Sequence, residues 1–239
     1  MWMICKKEWQ QFFGSLTGYI ALVIFLLLTG LFLFVFPDTS LLDFGYASLN
    51  GFFELAPWLL LFLVPVVTMR SLADEYKAGT FELLKTMPLS NASIVWGKIA
   101  GAFITIAIAI IPTIIYAFSI QSLSSVGGID VGSTIGSYAG LLFLGAVFTS
   151  IGVCASSLTN NTVVAFIVGA FMCFILYNGF EAISKLPALG SAGYYIEMMG
   201  IKFHYHSISR GVVDLRDIIY FAGIIVLFAL ITQRMLEKR

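Results

Sequence analysis

The chain has 239 residues, 59% of them hydrophobic and only 11% charged, and a mean hydropathy of +0.97, which excludes a soluble globular domain and indicates a polytopic membrane protein. Thirteen basic residues balance thirteen acidic ones, so there is no basic stripe to neutralise phosphates and nucleic acid is not an expected partner. Cys5, Cys154 and Cys173 show no CxxC spacing and read as small hydrophobes, not as a disulfide framework.

Before the first apolar run, Trp2, Cys5, Trp9, Phe12, Phe13 and Leu16 recur at helical spacing, while Lys6, Lys7, Gln10 and Gln11 take other faces. The pattern predicts a helix over residues 1–17 lying in the plane of the membrane interface. It suits a lever that feels movement of the spans or an anchor for the first of them. No small-residue cleavage pattern precedes a soluble domain, so the segment does not read as a removed signal.

A bilayer-crossing helix needs about 20 predominantly apolar residues. Six stretches qualify, near 18–36, 52–69, 94–119, 135–158, 162–183 and 218–235. The expected fold is all-α: one domain over 1–239, a polytopic bundle of six transmembrane helices. Pro57, Pro65 and Pro112 should kink spans two and three. Ser156, Ser157, Thr159, Asn160 and Asn161 read as a tight polar turn that folds spans four and five into an antiparallel hairpin.

Orientation follows from lysine and arginine. With the N-terminus in the cytosol, the inner side holds Lys6, Lys7, Arg70, Lys77, Lys85, Lys98, Arg234, Lys238 and Arg239, and the outer side holds Lys185, Lys202, Arg210 and Arg216. Both termini are therefore expected in the cytosol, with Trp2, Trp9 and Trp96 as anchors at the inner interface. Lys98, like Glu54 and Glu181, falls at a predicted span end, from which a side chain can snorkel to water.

Between spans two and three, residues 70–85 carry six charges in sixteen positions. Each charge at a helix centre would cost roughly 2.5 to 3.5 kcal/mol, so the segment must leave the bilayer. Gly79 interrupts its helical run, Thr80 is a good N-cap, Glu82 sits in the first turn and Lys85 in the last, and Pro88 stops continuation. Leu83, Leu84 and Met87 predict an apolar face, and a small helix over 71–77 should come first. Such an element is a surface for docking something soluble.

Residues 184–217 form the longest outer connection. Its mixture of glycines with Tyr194, Tyr195, Ile196 and Phe203 is too apolar to float and too interrupted to span, which predicts short helices at the outer interface. His204 and His206 would share a face in a strand, but two ligands without a third are not a zinc site. Gly97xxxGly101 and Gly136xxxGly140 permit close helix packing. There is no GxxxxGK[ST], because Gly97-Lys98 has neither an upstream glycine loop nor a following hydroxyl. No ladder of buried carboxylates suggests an ion-driven carrier, and no HExxH pair suggests a membrane protease.

The order Asp74-Glu75, Gly79-Thr80, Glu82-Leu83-Leu84, then Pro88-Leu-Ser90 and Gly97-Lys98, resembles the coupling segment of type-2 ABC transporter permeases. The segment from Phe203 to Asp217 resembles the same region of the gliding-motility-associated ABC permease of Bacteroidota. The first resemblance covers essentially the whole chain. It implies an interfacial helix before span one, a cytosolic coupling helix between spans two and three, and short external helices between spans five and six. It also implies that Asp74, Glu75, Gly79, Thr80, Glu82, Leu83 and Leu84 form the interface to ABC ATPase subunits, with ATP and Mg on those partners and no cofactor or metal on this chain. The chain itself would be non-catalytic, sit in the bacterial inner membrane, and pair with a second permease-type protein in preference to a copy of itself. An ATP-independent channel or carrier, and a non-transporting anchor of an envelope complex, are the alternatives.

Overall fold

The computed structural model describes residues 1–36, 48–124, 128–187, 190–211 and 214–238. Arg239, counted above on the inner side, and positions 212 and 213 of the second resembling segment lie outside the described residues. Every regular element among the described residues is helical. Six helices are long and apolar enough to cross a membrane: Leu16–Phe34, Asn50–Lys77, Asn91–Leu123, Val131–Leu158, Thr162–Ser184 and Leu215–Lys238.

The first helix, α1 (Trp2–Phe13), ends at Gly14, and α2 (Leu16–Phe34) begins at once, with the Ser15 hydroxyl accepting from the Gly18 amide at 3.2 Å. Span two is α3 (Asn50–Thr68), which retains both Pro57 and Pro65 within one helix, followed through a turn by α4 (Ala73–Lys77). Helix α5 (Thr80–Thr86) then leads to span three. That span is α6 (Asn91–Ile110), a 3₁₀ turn at Ile111–Thr113 and α7 (Ile114–Leu123). Pro112 sits in the 3₁₀ turn, where its missing N–H interrupts the α ladder. Span four is the single helix α8 (Val131–Leu158). Span five runs as α9 (Thr162–Phe174), a π turn at Ile175–Gly179 and α10 (Phe180–Ser184). After α11 (Ala192–Glu197) and α12 (Ile201–Ser209), α13 (Leu215–Lys238) closes the bundle.

Helix α8 is the axle. It packs against α3, α6, α9, α12 and α13, and Leu144, Val147, Phe148 and Ile151 along it are fully buried. Phe52, Leu60, Val64, Ile106, Tyr177 and Phe221 surround them in one core. Lipid tails are as apolar as these side chains, so close packing and hydrogen bonds, not expulsion from water, hold the spans together.

Both GxxxG pairs seat helices that do not cross. A Cβ on Gly101 would lie 2.8 Å from the Glu8 Cβ and 3.0 Å from the Cys5 carbonyl oxygen, so this face receives α1. A Cβ on Gly136 would lie 2.9 Å from the Gly211 Cα and 3.1 Å from the Ile208 carbonyl oxygen, so that face receives the end of α12.

The hairpin between spans four and five is tighter than the polar residues suggest. Ser156 and Ser157 belong to α8 and are buried. The turn is made by Thr159, Asn160 and Asn161, of which Asn161 caps α9 by accepting from the Val163 amide at 2.9 Å.

Candidate functional site

The elbow between spans two and three is built from α4 and α5, which meet at Gly79. Its φ of +68° is left-handed, a conformation costly for residues with a Cβ, so this glycine makes the break. Thr80 is not the N-cap. It is the first residue of α5, and its hydroxyl reaches the Glu75 carbonyl oxygen at 3.4 Å. The start of α4 lies inside the protein, where water cannot satisfy its amides. Ser156 of α8 does so: its Oγ accepts from the amides of Leu72 and Ala73 at 3.0 and 3.1 Å and donates to the Met69 carbonyl at 3.0 Å.

The expected apolar face of α5 divides in two. Leu84 turns inward with Phe81 into a cluster formed with Ile4, Leu72, Ile94, Val95 and Leu236. Tyr76 packs edge-on against Phe81 with ring centroids 4.9 Å apart. Leu83 on α5, and Met87 just past its end, are 65% and 52% exposed. Glu82, Lys85 and Thr80 are exposed beside them. The helix is glued down by one edge and displays the other, a small apolar patch rimmed by charge.

Glu75 departs most from the expectation of a partner-facing residue. It is buried, and both of its oxygens are engaged within the chain. Lys7 of α1 donates to Oε1 at 2.7 Å, and Lys98 Nζ lies 3.0 Å from Oε2, an ion pair by distance. Lys98 does not snorkel: it is 0% exposed, and its ammonium also donates to Glu8 Oε1 at 2.7 Å and to the Ser71 carbonyl at 2.6 Å. Two lysines and two glutamates thus tie α1, α4 and α6 into one joint of zero net charge.

Of the predicted docking residues, Gly79, Thr80, Glu82 and Leu83 are exposed, Asp74 is half-buried, and Glu75 and Leu84 face inward. Trp2 and Trp9 are exposed on α1, whereas Trp96 is half-buried against the inner cluster. Lys7, Glu8 and Ser156 were not singled out as site residues from the sequence. The available signal was Lys98: an ionisable group in an apolar span demands a named partner, and Glu8 and Glu75 are its partners.

A family model described as "ABC-2 family transporter protein" matches residues 2–197, from α1 through α11 and so across the whole elbow. The chain belongs to the ABC-2 transporter family. No curated protein matches it significantly. The elbow of this ABC-2 membrane subunit lies between its second and third spans. The Phe203–Asp217 segment, beyond the match, carries the narrower gliding-motility resemblance alone.

At the opposite end of the ABC-2 bundle the two histidines are separated by the helix of α12. His204 is buried, with Nδ1 2.6 Å from Asp217 Oδ1 and Nε2 3.0 Å from the Met198 carbonyl oxygen, and its ring stacks on Tyr220 at 3.8 Å. His206 faces a polar cleft of about 370 Å³ with Lys202, Arg210 and Glu197. No group of metal-holding side chains occurs among the described residues. Two of the basic residues on this side are matched locally: Glu181 pairs with Lys185 at 2.6 Å and with Lys202 at 2.5 Å.

Proposed function

We propose that this ABC-2 subunit couples ATP hydrolysis on separate ATPase chains to export or to the work of an envelope machine, with α5 as the element that docks the ATPase. The exposed edge of α5 carries the reading. Leu83 and Met87 offer apolar contact, Glu82 and Lys85 set charge complementarity, and the buried edge transmits displacement to the core. Charges in such a rim fix register and partner choice more than raw affinity. Lysine and arginine bias supports both termini, α1 and the elbow in the cytosol, and hence an inner-membrane location. ATP and Mg would bind the partner, since this sequence contains no Walker A motif. A bundle with six spans calls for a second membrane subunit, and the Phe203–Asp217 segment favours a different permease-type chain over a copy of this one, in a gliding-motility apparatus.

The test is Glu82→Lys. It reverses an exposed charge that has no ion pair among the described residues, so insertion and folding should stay normal while recovery of the ATPase with a tagged chain falls by roughly tenfold or more. Undiminished recovery of the ATPase would remove α5 as the docking element. Recovery of the wild-type chain alone, under conditions that preserve ABC complexes, would favour a channel or anchor instead.

A further inference from the structure

Between α2 and α3 runs a groove of about 400 Å³ whose accessible lining is almost wholly apolar. Phe25 and Leu63 are buried in its floor, and Ile20, Ile24 and Phe62 on its rim are about half exposed. It extends from Thr17 to Leu28 on one helix and from Met69 back to Leu59 on the other. At 1.5 Å per residue that is roughly 16 Å, close to the half-thickness of a hydrocarbon core about 30 Å across. The groove therefore spans one leaflet, the one on the side of α1.

At the α1 end the groove opens into a polar notch of about 30 Å³, and Thr17 and Val66 line both. Arg70 lines the notch half-buried, and no ion pair or hydrogen bond engages it among the described residues. Ser71 lines it too; it is 4% exposed, and its hydroxyl has no hydrogen-bond partner among the described residues. An unneutralised guanidinium and an unsatisfied buried hydroxyl lining one notch suit an oxygen-rich anion. Glu8 borders the same notch, but its carboxylate is held by Lys98. The notch admits a phosphate oxygen and leaves the remainder of a headgroup at the interface.

We propose that this groove is a binding site for one anionic phospholipid of the leaflet on the α1 side, its acyl chain between α2 and α3 and its phosphate on Arg70 and Ser71. Neither half alone specifies this ligand. An apolar groove one leaflet deep that ends in an unpaired cation at headgroup level matches a phospholipid in both length and charge. The inference stands apart from ATPase docking, because it uses neither α5 nor its partner and holds whichever side of the membrane α1 occupies.

The test places the full chain, with the subunits that co-purify, in nanodiscs of phosphatidylglycerol and phosphatidylcholine containing a photo-reactive phosphatidylglycerol. Crosslinks are mapped by peptide mass spectrometry and retained lipid by native mass spectrometry. One retained phosphatidylglycerol per chain is expected, with crosslinks concentrated on Ile20, Ile24 and Phe62 and a preference over phosphatidylcholine of about fivefold. Arg70→Gln should abolish that preference while lipid still occupies the groove. Ala21→Phe should exclude the chain and remove the crosslinks, and milder Ala21→Leu should reduce them. Crosslinks spread evenly around the bundle, an unchanged preference in Arg70→Gln, or a helix of a second subunit in place of lipid would each overturn the proposal.

Discussion

The two ends of the bundle solve one mechanical problem with different chemistry. At each end a non-crossing helix is laid on a GxxxG face, α1 on Gly97 and Gly101 and the end of α12 on Gly136 and Gly140. The α1 end is then locked by charge, with Lys7, Glu8, Glu75 and Lys98 joining three helices through a fully buried ammonium. The α12 end is locked mainly by hydroxyls on backbone carbonyls: Ser137 on Ser209 at 2.7 Å, Tyr205 on Phe53 at 2.7 Å and Tyr220 on Met199 at 2.5 Å. Hydroxyl contacts fail one at a time, each worth about 1 kcal/mol. A buried charge joint fails as a unit, because removing one member strands the others. The hydroxyl contacts hold α12 by separable bonds, and the charge joint ties three helices into one unit.

That contrast is broken most severely by Lys98→Met, which leaves Glu8 and Glu75 without their shared cation. A loss of about 3 to 5 kcal/mol is expected, read as a large drop in unfolding temperature in detergent micelles. Combining it with Glu8→Gln and Glu75→Gln should recover much of that loss, since replacing a whole buried network is far cheaper than breaking it. No single hydroxyl substitution at the α12 end should approach this effect.

Filling the glycine seats compares the ends directly. Leucine at Gly101 or at Gly136 overpacks against backbone, for about 1 to 3 kcal/mol each, but the local consequences differ. Gly101→Leu should lift α1 and uncover Cys5, whose thiol pKa is raised by burial and then by Glu8. Exposure relieves the larger cause, burial, although Glu8 stays beside Cys5 on α1, so access and thiolate fraction both rise and maleimide labelling of Cys5 should accelerate. Gly136→Leu should leave Cys5 as slow as in the parent. The buried Cys154 and Cys173 serve as internal controls in both.

Much of this architecture was legible in the sequence, because hydrophobic length is a strong signal: all six spans, α1 and the elbow lie within a few residues of expectation. Period and capping residues also announced α5. They could not assign its faces, since Leu83, Leu84 and Met87 are equally apolar and only tertiary packing turns Leu84 inward. Thr80 was a sound cap by propensity, but Gly79 took the junction because the chain needed a positive φ there. Glu75 and Lys98 were misplaced for one reason. They are 23 positions apart, and Glu8 lies far from both, so no local rule pairs them. Helical spacing in α1 identified an amphipathic helix without revealing that Ile4 and Cys5 form its buried seam, with half-buried Glu8 beside them.

Smaller and more local is the exchange of single hydroxyls. Ser156→Ala removes the partner of three backbone groups at the start of α4, for about 1 to 3 kcal/mol. Hydrogen exchange at Leu72 and Ala73 should rise selectively. Ser137→Ala removes one bond to Ser209, whose carbonyl is still approached by Ser133 at 3.4 Å, so about 0.5 to 1 kcal/mol is expected. Equal exchange responses at the two ends would dissolve the distinction between a joint and a set of separable contacts.

The smallest effect belongs to His206. Partial burial lowers its pKa below the ordinary value of 6.5, and Lys202 pushes it further down, against the pull of Glu54 and Glu181. The sign follows from linkage. Above pH 6.5 the imidazole is neutral folded or unfolded, and the group is indifferent. As pH falls, the unfolded chain takes up the proton first, so stability declines through the window between 6.5 and the lower folded pKa. His206→Gln should flatten that decline by well under about 1 kcal/mol. With only two histidines in the chain, the imidazole carbon resonance lost in His206→Gln identifies His206 in a pH titration of labelled protein. Replacing Lys202 with Met should raise its midpoint toward 6.5. A midpoint unmoved by that change would mean that burial alone sets it, and that the cation in the cleft at the α12 end is screened by Glu181.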